Sequence, residues 1–184
     1  MAQQLKGRLL VATPGLLDEN FFRTVVLVVD HTDEGAAGVV LNRPTSTELG
    51  GPLSDWRVKA ADPPLVFVGG PVSPDSAVCL ARSAPGSKPP GFEPVVGGLG
   101  VLDLSREAEE SQNGVDRLRV FAGYAGWESG QLERELADGA WYLLEADPED
   151  ALTSEPGALW RFVLRRQGGK LALVSNFPPD PTMN

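Results

Sequence analysis

Hydrophobic residues fall in short, tight runs over the first half of the chain. Arg8–Ala12 is one such run and stops at Thr13-Pro14-Gly15. Thr24-Val25-Val26-Leu27-Val28-Val29 is an unbroken β-branched run, the pattern of a strand covered on both faces. His31-Thr32-Asp33-Glu34-Gly35 reads as a polar turn. Gly38-Val39-Val40-Leu41-Asn42 reads as the next strand, stopped by Pro44. A parallel pair needs a crossover of about a dozen residues, so this short link predicts an antiparallel hairpin. Leu65–Val68 is a third strand, closed by Gly69-Gly70-Pro71, and residues 78–81 form a fourth. Residues 83–91 hold three prolines, two glycines and two serines. That composition predicts a surface loop and the most mobile segment of the fold.

The second half alternates between periods. Residues 105–112 are polar and helix-prone, with Glu107, Glu109 and Glu110 near the start. Residues 118–122 read as a strand. Ser129 is placed to cap a helix over residues 130–138, where Leu132 and Leu136 stack at i, i+4 and Gly139 is the stop. Residues 140–144 read as a strand. A last helix runs over about residues 155–167, with Thr153 or Ser154 as cap, Pro156 in its first turn and Gly168 as its end. Leu159, Trp160, Val163 and Leu164 form its apolar face. Residues 171–174 suggest a final strand, and the proline-rich tail from 177 to 184 reads as loose. Strands grouped early and helices late predict an α+β fold, and 184 residues suit a single domain spanning 1–184.

Composition narrows the function classes. Hydrophobic residues make up 42 % of the chain, ordinary for a globular protein. The net charge of −9 repels nucleic acid phosphates and anionic lipid, so neither a nucleic acid nor a membrane is the expected partner. No apolar run is long enough for a signal peptide or a membrane span, which predicts a cytoplasmic protein. A single cysteine, Cys79, excludes CxxC motifs; within Val78-Cys79-Leu80 it reads as a buried thiol.

Tests for catalytic chemistry are mostly negative. His31 is the one histidine, beside the potential oxygen ligands Asp30, Asp33 and Glu34. One imidazole is too few for a typical zinc site, and no metal or cofactor is expected. No G-x-S-x-G elbow exists; Gly126-Trp127-Glu128-Ser129-Gly130 places its serine one position late. No phosphate-binding loop motif is present, and Gly97-Gly98-Leu99-Gly100 reads as a turn into an apolar stretch. Arg161, Arg165, Arg166 and Lys170 form the one basic cluster, which reads as a solvated helix surface.

Two stretches stand out. Gly123-Tyr124-Ala125-Gly126-Trp127-Glu128-Ser129-Gly130-Gln131-Leu132-Glu133 reads as a strand-to-helix corner with free backbone N–H groups at a positive dipole end. Tyr124 and Trp127 can wall a site there, with Gln131 and Glu133 fixing polar groups; alternatively Trp127 is a core anchor of a tight corner. Gly69-Gly70-Pro71-Val72 follows a buried strand in the same manner.

Together with Gly7-Arg8-Leu9-Leu10-Val11-Ala12, residues 21–29, and the segment from His31 to Asn42-Arg43-Pro44, these stretches resemble the AlgH/YqgE family of bacterial proteins over about residues 7–166. The family often carries Lys where this chain has Arg43. The resemblance implies an α+β fold with a strongly bent, mixed and largely antiparallel sheet flanked by helices. It fixes no activity, although some members are described as transcriptional regulators. The candidate binding residues are therefore His31, Asn42, Arg43, Gly70, Pro71, Gly123, Tyr124, Gly126, Trp127, Gln131 and Glu133. The expected function is a regulatory module that binds a small molecule or a protein at the corner of residues 123–133. An enzyme using carboxylates or His31 there is the alternative, and a DNA-binding regulator is disfavoured by the charge. The sequence leaves oligomeric state open.

Overall fold

The computed structural model describes residues 4–106 and 108–179. The strands are β1 (Arg8–Ala12), β2 (Val25–Thr32), β3 (Gly35–Val40), β4 (Pro44–Glu48), β5 (Leu65–Val68), β6 (Val72–Ser83), β7 (Phe92–Val96), β8 (Leu99–Leu102), β9 (Val115–Glu128) and β10 (Trp141–Glu145). The α-helices are α1 (Ala108–Ser111), α2 (Gln131–Ala137), α3 (Leu159–Gln167) and α4 (Gly169–Val174). Tighter helical turns cover Gly51–Lys59, Pro148–Leu152 and Pro156–Ala158.

The strands make one curled sheet in the order β10-β1-β2-β3-β9-β6-β8-β7, with β4 and β5 off this path. Every pairing is antiparallel except β5 with β9. This is the α+β fold with a bent sheet that the sequence implies. The inner face gathers Leu9, Leu27, Val39, Phe67, Leu80 and Phe121 beneath Leu159, Trp160, Val163 and Leu164 of α3. The outer face carries two further cores. One packs Val26, Val28, Trp127 and Trp141 under Leu132 of α2. The other packs Cys79, Leu118 and Val120 under Trp56. Burial on both faces explains why β2 begins with four consecutive buried aliphatic residues.

Strand β9 holds the sheet together, and its side-chain alternation changes phase once. Phe121 faces the inner core while Leu118 and Val120 face outward. Past Gly123, Ala125 and Trp127 face the outer core, so Tyr124, Gly126 and Glu128 fall on the inner side. Strict period-two alternation would put Phe121 and Ala125 on one face. Gly123 absorbs the shift with φ +75°, and the partner strand β6 is irregular between Val72 and Ala77.

Several sequence expectations are corrected. His31 is not in a turn: β2 runs on to Thr32, and the turn is Asp33-Glu34. Residues 123–128 are not a corner but the continuation of β9. Residues 171–174 are helical rather than extended, because they pack as α4 against the end of α3 and Leu171 and Val174 meet the inner core. The helix expected over residues 105–112 is reduced to α1, and residue 107 lies outside the described residues. So do residues 180–184 of the tail. Strands β4, β7 and β8 had no clear signal in the sequence: β4 is polar and mostly exposed, and β7 contains Pro94.

Candidate functional site

The residues around β3 and β9 fall into two groups, on opposite faces of the sheet. On the outer face, His31 is 9 % exposed. The backbone N–H of Leu5 donates to its Nδ1 at 3.2 Å. Nδ1 also lies 3.2 Å from Gln4 Oε1, and Nε2 is 2.7 Å from Glu133 Oε1, to which its N–H donates. That hydrogen bond holds the Glu133 carboxyl below its usual range. Asp30, Asp33 and Glu34 are exposed and do not join His31. Among the described residues, no group of three or more His, Cys, Asp or Glu is placed to hold a metal ion. The imidazole, spent at both nitrogens, ties α2 and the N-terminal segment to β2.

Trp127 is a core anchor, 7 % exposed. Its ring meets Trp141 edge-on at 6.2 Å and stacks on Phe21 at 6.4 Å. Its indole N–H donates to Glu135 Oε2 at 2.6 Å, and that of Trp141 donates to the same oxygen at 3.2 Å. Gln131 Oε1 accepts from the backbone N–H of Glu128 at 2.9 Å and closes the turn into α2. Ser129 does not cap α2, because its hydroxyl donates to the Asp33 carbonyl at 2.6 Å. Gly130 occupies the cap position with φ +74°, and no side chain caps the helix. With only seven residues, α2 is too short for its dipole to form an anion site.

Asn42 and Arg43 clamp backbone. Asn42 Oδ1 accepts from Val25 N–H at 3.0 Å, and its Nδ2 donates to the Arg23 carbonyl at 2.9 Å. Arg43 donates to the carbonyls of Asn20 at 2.7 Å and Phe22 at 3.1 Å. Together they pin the loop between β1 and β2 to the exit of β3. Gly70 and Gly123 meet at the junction of β5, β6 and β9, where the Gly69 N–H donates to the Ala122 carbonyl at 2.8 Å. The two glycine motifs thus lie together. Pro71 sits exposed beside them.

On the inner side of the phase-shifted end of β9 lies an open groove of about 480 Å³. Gly35, Ala37 and Gly126 leave its floor bare, Tyr124 and Val72 wall one end, and Asp30, Glu34 and Glu128 form an acidic rim. A cross-strand register places Asp30 opposite Ala37 and Ala37 opposite Gly126, so the floor is one row across three strands. Of the expected residues, Tyr124, Gly126 and Trp127 line this groove. His31, Asn42, Arg43, Gln131 and Glu133 do not. Asp30, Glu34, Ala37 and Glu128 were missed as groove residues; the signal in the hairpin was an acidic stretch from Asp30 to Glu34 running straight into the small residues Gly35-Ala36-Ala37-Gly38.

A fold of this topology is that of the AlgH-like proteins, and the chain belongs to that family: the family model matches residues 9–172. A UPF0301 protein of Streptomyces coelicolor is 52 % identical over 184 residues, covering 98 % of this chain and 95 % of that protein. One from Thermobifida fusca is 46 % identical over 189 residues, covering 98 % and 96 %. A crystal structure of a Corynebacterium diphtheriae protein superimposes with TM-score 0.87 at 30 % identity, over 96 % of this chain and 94 % of that one. The solution structure of the AlgH protein from Pseudomonas aeruginosa gives TM-score 0.71 at 32 % identity, over 96 % and 97 %. No helix among the described residues is long and apolar enough to cross a membrane.

Proposed function

We propose that this chain is a binding module that takes a basic segment of a partner protein in the groove between the β2–β3 hairpin and the end of β9. One observation carries the reading: a bare strip of Gly35, Ala37 and Gly126 is rimmed by Asp30, Glu34 and Glu128. Small side chains on a sheet face let another chain approach closely, and three carboxylates select for Lys and Arg. The groove is shallow. Small-molecule sites are usually enclosed and bury most of the ligand, so an extended segment fits it better.

The enzyme reading draws no support from His31, whose two nitrogens are both engaged. DNA binding is disfavoured, since the net charge of −9 repels phosphate and three of the carboxylates behind it stand on this rim.

Calorimetry with a Lys- and Arg-rich decapeptide tests the proposal. Saturable binding that falls at least tenfold in Ala37→Arg supports it. Binding unchanged by Ala37→Arg, or none at low salt, contradicts it.

A further inference from the structure

The loop between β1 and β2 meets the segment that follows α4 at a cavity of about 270 Å³. Pro14, Gly15, Phe22, Phe177, Pro178 and Pro179 line it, and Arg23 is the one polar side chain on its wall. Among the described residues no carboxylate lines it. Backbone hydrogen bonds fix the two aromatic walls. The Phe22 N–H donates to the Asp18 carbonyl at 2.7 Å, and the Phe22 carbonyl accepts from Arg43. The Phe177 N–H donates to the Val174 carbonyl at 3.0 Å.

Arg23 is held on this wall in an uncommon conformation. Its φ is +54°, a region that side-chain-bearing residues seldom adopt, and Asn42 clamps its carbonyl there. The guanidinium lies over the Trp160 ring, 4.2 Å from the centroid. Trp160 is fixed in turn, because its indole N–H donates to the Ala12 carbonyl at 2.8 Å. Arg23 Nη2 donates to the Phe177 carbonyl, Nε is buried without an acceptor, and Nη1 has no partner among the described residues. Burial first, and then the charge of Arg161, pull the guanidinium below its usual range. Neither arginine has a carboxylate partner among the described residues, although the chain has 25 acidic residues against 16 basic ones. Arg119 on β9, over the Phe67 ring of the inner core, is the contrast. Its Nε also lacks an acceptor, but both terminal nitrogens are spent on the carbonyls of Asp62, Thr153 and Ala151. The difference is Nη1 of Arg23.

We propose that this cavity binds a small monocarboxylate with an apolar body. The carboxylate accepts from Arg23 Nη1, and the body packs between Phe22, Phe177 and the prolines. A charge-assisted hydrogen bond of this kind is about twice as strong as a neutral one. A monoanion suits the cavity better than phosphate, because one guanidinium is its only charged donor and every other lining side chain is apolar. An apolar cavity of about 150 Å³ holds benzene, so this one takes a ring together with its acid group. The carboxylate also supplies the counter-charge that Arg23 and Arg161 lack.

Benzoate, its neutral isostere benzamide, and acetate are titrated into the protein with amide NMR as readout. Benzoate is expected to bind saturably, with shifts at Gly15, Phe22, Arg23 and Phe177, and about tenfold more tightly than benzamide or acetate. Phe177→Ala, at a position 49 % exposed, is expected to weaken benzoate several-fold and leave acetate unchanged. Arg23→Gln is expected to abolish the preference for benzoate over benzamide, a ratio that loss of packing alone does not change. Each variant is checked for a native amide spectrum. If Arg23→Gln does not fold, the benzoate-to-benzamide ratio of the wild type and the effect of Phe177→Ala decide. The proposal is overturned by no saturation at about 10 mM benzoate, a concentration that fills a site of about 1 mM Kd. Benzamide binding as tightly as benzoate, shifts at other residues, or a benzoate preference that survives Arg23→Gln also overturns it. The cavity and the acidic groove share no residue, so failure of either site leaves the other intact.

Discussion

Gly70 and Gly123 are packed so closely that neither tolerates a side chain. A Cβ on Gly70 would lie 2.2 Å from the carbonyl carbon of Tyr124, and one on Gly123 would lie 2.5 Å from the carbonyl oxygen of Gly70. Both have positive φ, +155° and +75°. Backbone cannot yield as a flexible side chain does, so Gly70→Ala and Gly123→Ala should each cost about 3 kcal/mol or more. Gly126→Ala is the control. Its Cβ would find nothing nearer than 3.7 Å, and it should cost no more than about 1 kcal/mol. Urea unfolding of the three variants separates these outcomes.

Trp127 and Trp141 share one carboxylate oxygen of Glu135. Trp127→Ala should cost about 3–5 kcal/mol by opening a cavity beside Phe21 and Trp141. It is therefore a stability variant and not a probe of binding. Trp127→Phe keeps part of the packing and should cost less. The denaturation midpoint reads the difference.

The His31–Glu133 pair makes a pH-dependent contribution of definite sign. The folded Glu133 carboxyl sits below its ordinary 4.5, chiefly because His31 donates to it. A depressed carboxyl stabilises the fold fully above its unfolded value. That contribution disappears as pH falls through the lowered folded value. Thermal melts between pH 7 and pH 3 should show wild type losing more stability than Glu133→Gln over this window. Equal losses would mean that the pair contributes nothing. Glu133 is partly exposed, so the effect is modest.

Cys79 is sealed in the outer core, and burial pushes its thiol above the usual range. Only the thiolate reacts. An aromatic disulfide reagent at pH 8 should therefore modify Cys79 no faster than the protein unfolds, and at once in 6 M guanidinium.

The core strands were legible because β1, β2 and β5 carry short aliphatic runs between prolines and glycines. The apolar face of α3 was legible from its 3.6 period: Leu159, Trp160, Val163 and Leu164 are all buried. Strand β9 was read short because its alternation changes phase at Gly123, which in a sequence looks like an end. Residues 171–174 were read as a strand because four consecutive apolar residues have no visible period, and only packing against α3 makes them helical. The candidate site was legible as a region. Tyr124 and Gly126 do line a groove, but neighbouring Trp127 chiefly faces the opposite core, a choice set by the bulge and not by residue type. Arg119 left no signal, since an arginine inside a strand looks like an outward polar position until the inner face is known.

The most direct measurement is an amide NMR titration of the wild-type protein with the Lys- and Arg-rich decapeptide. The account predicts shifts confined to Asp30, Gly35, Ala37, Tyr124, Gly126 and Glu128, weakening as salt is raised toward 0.5 M because exposed charges are screened. Shifts spread over the acidic surface, with the groove residues unmoved, would contradict it.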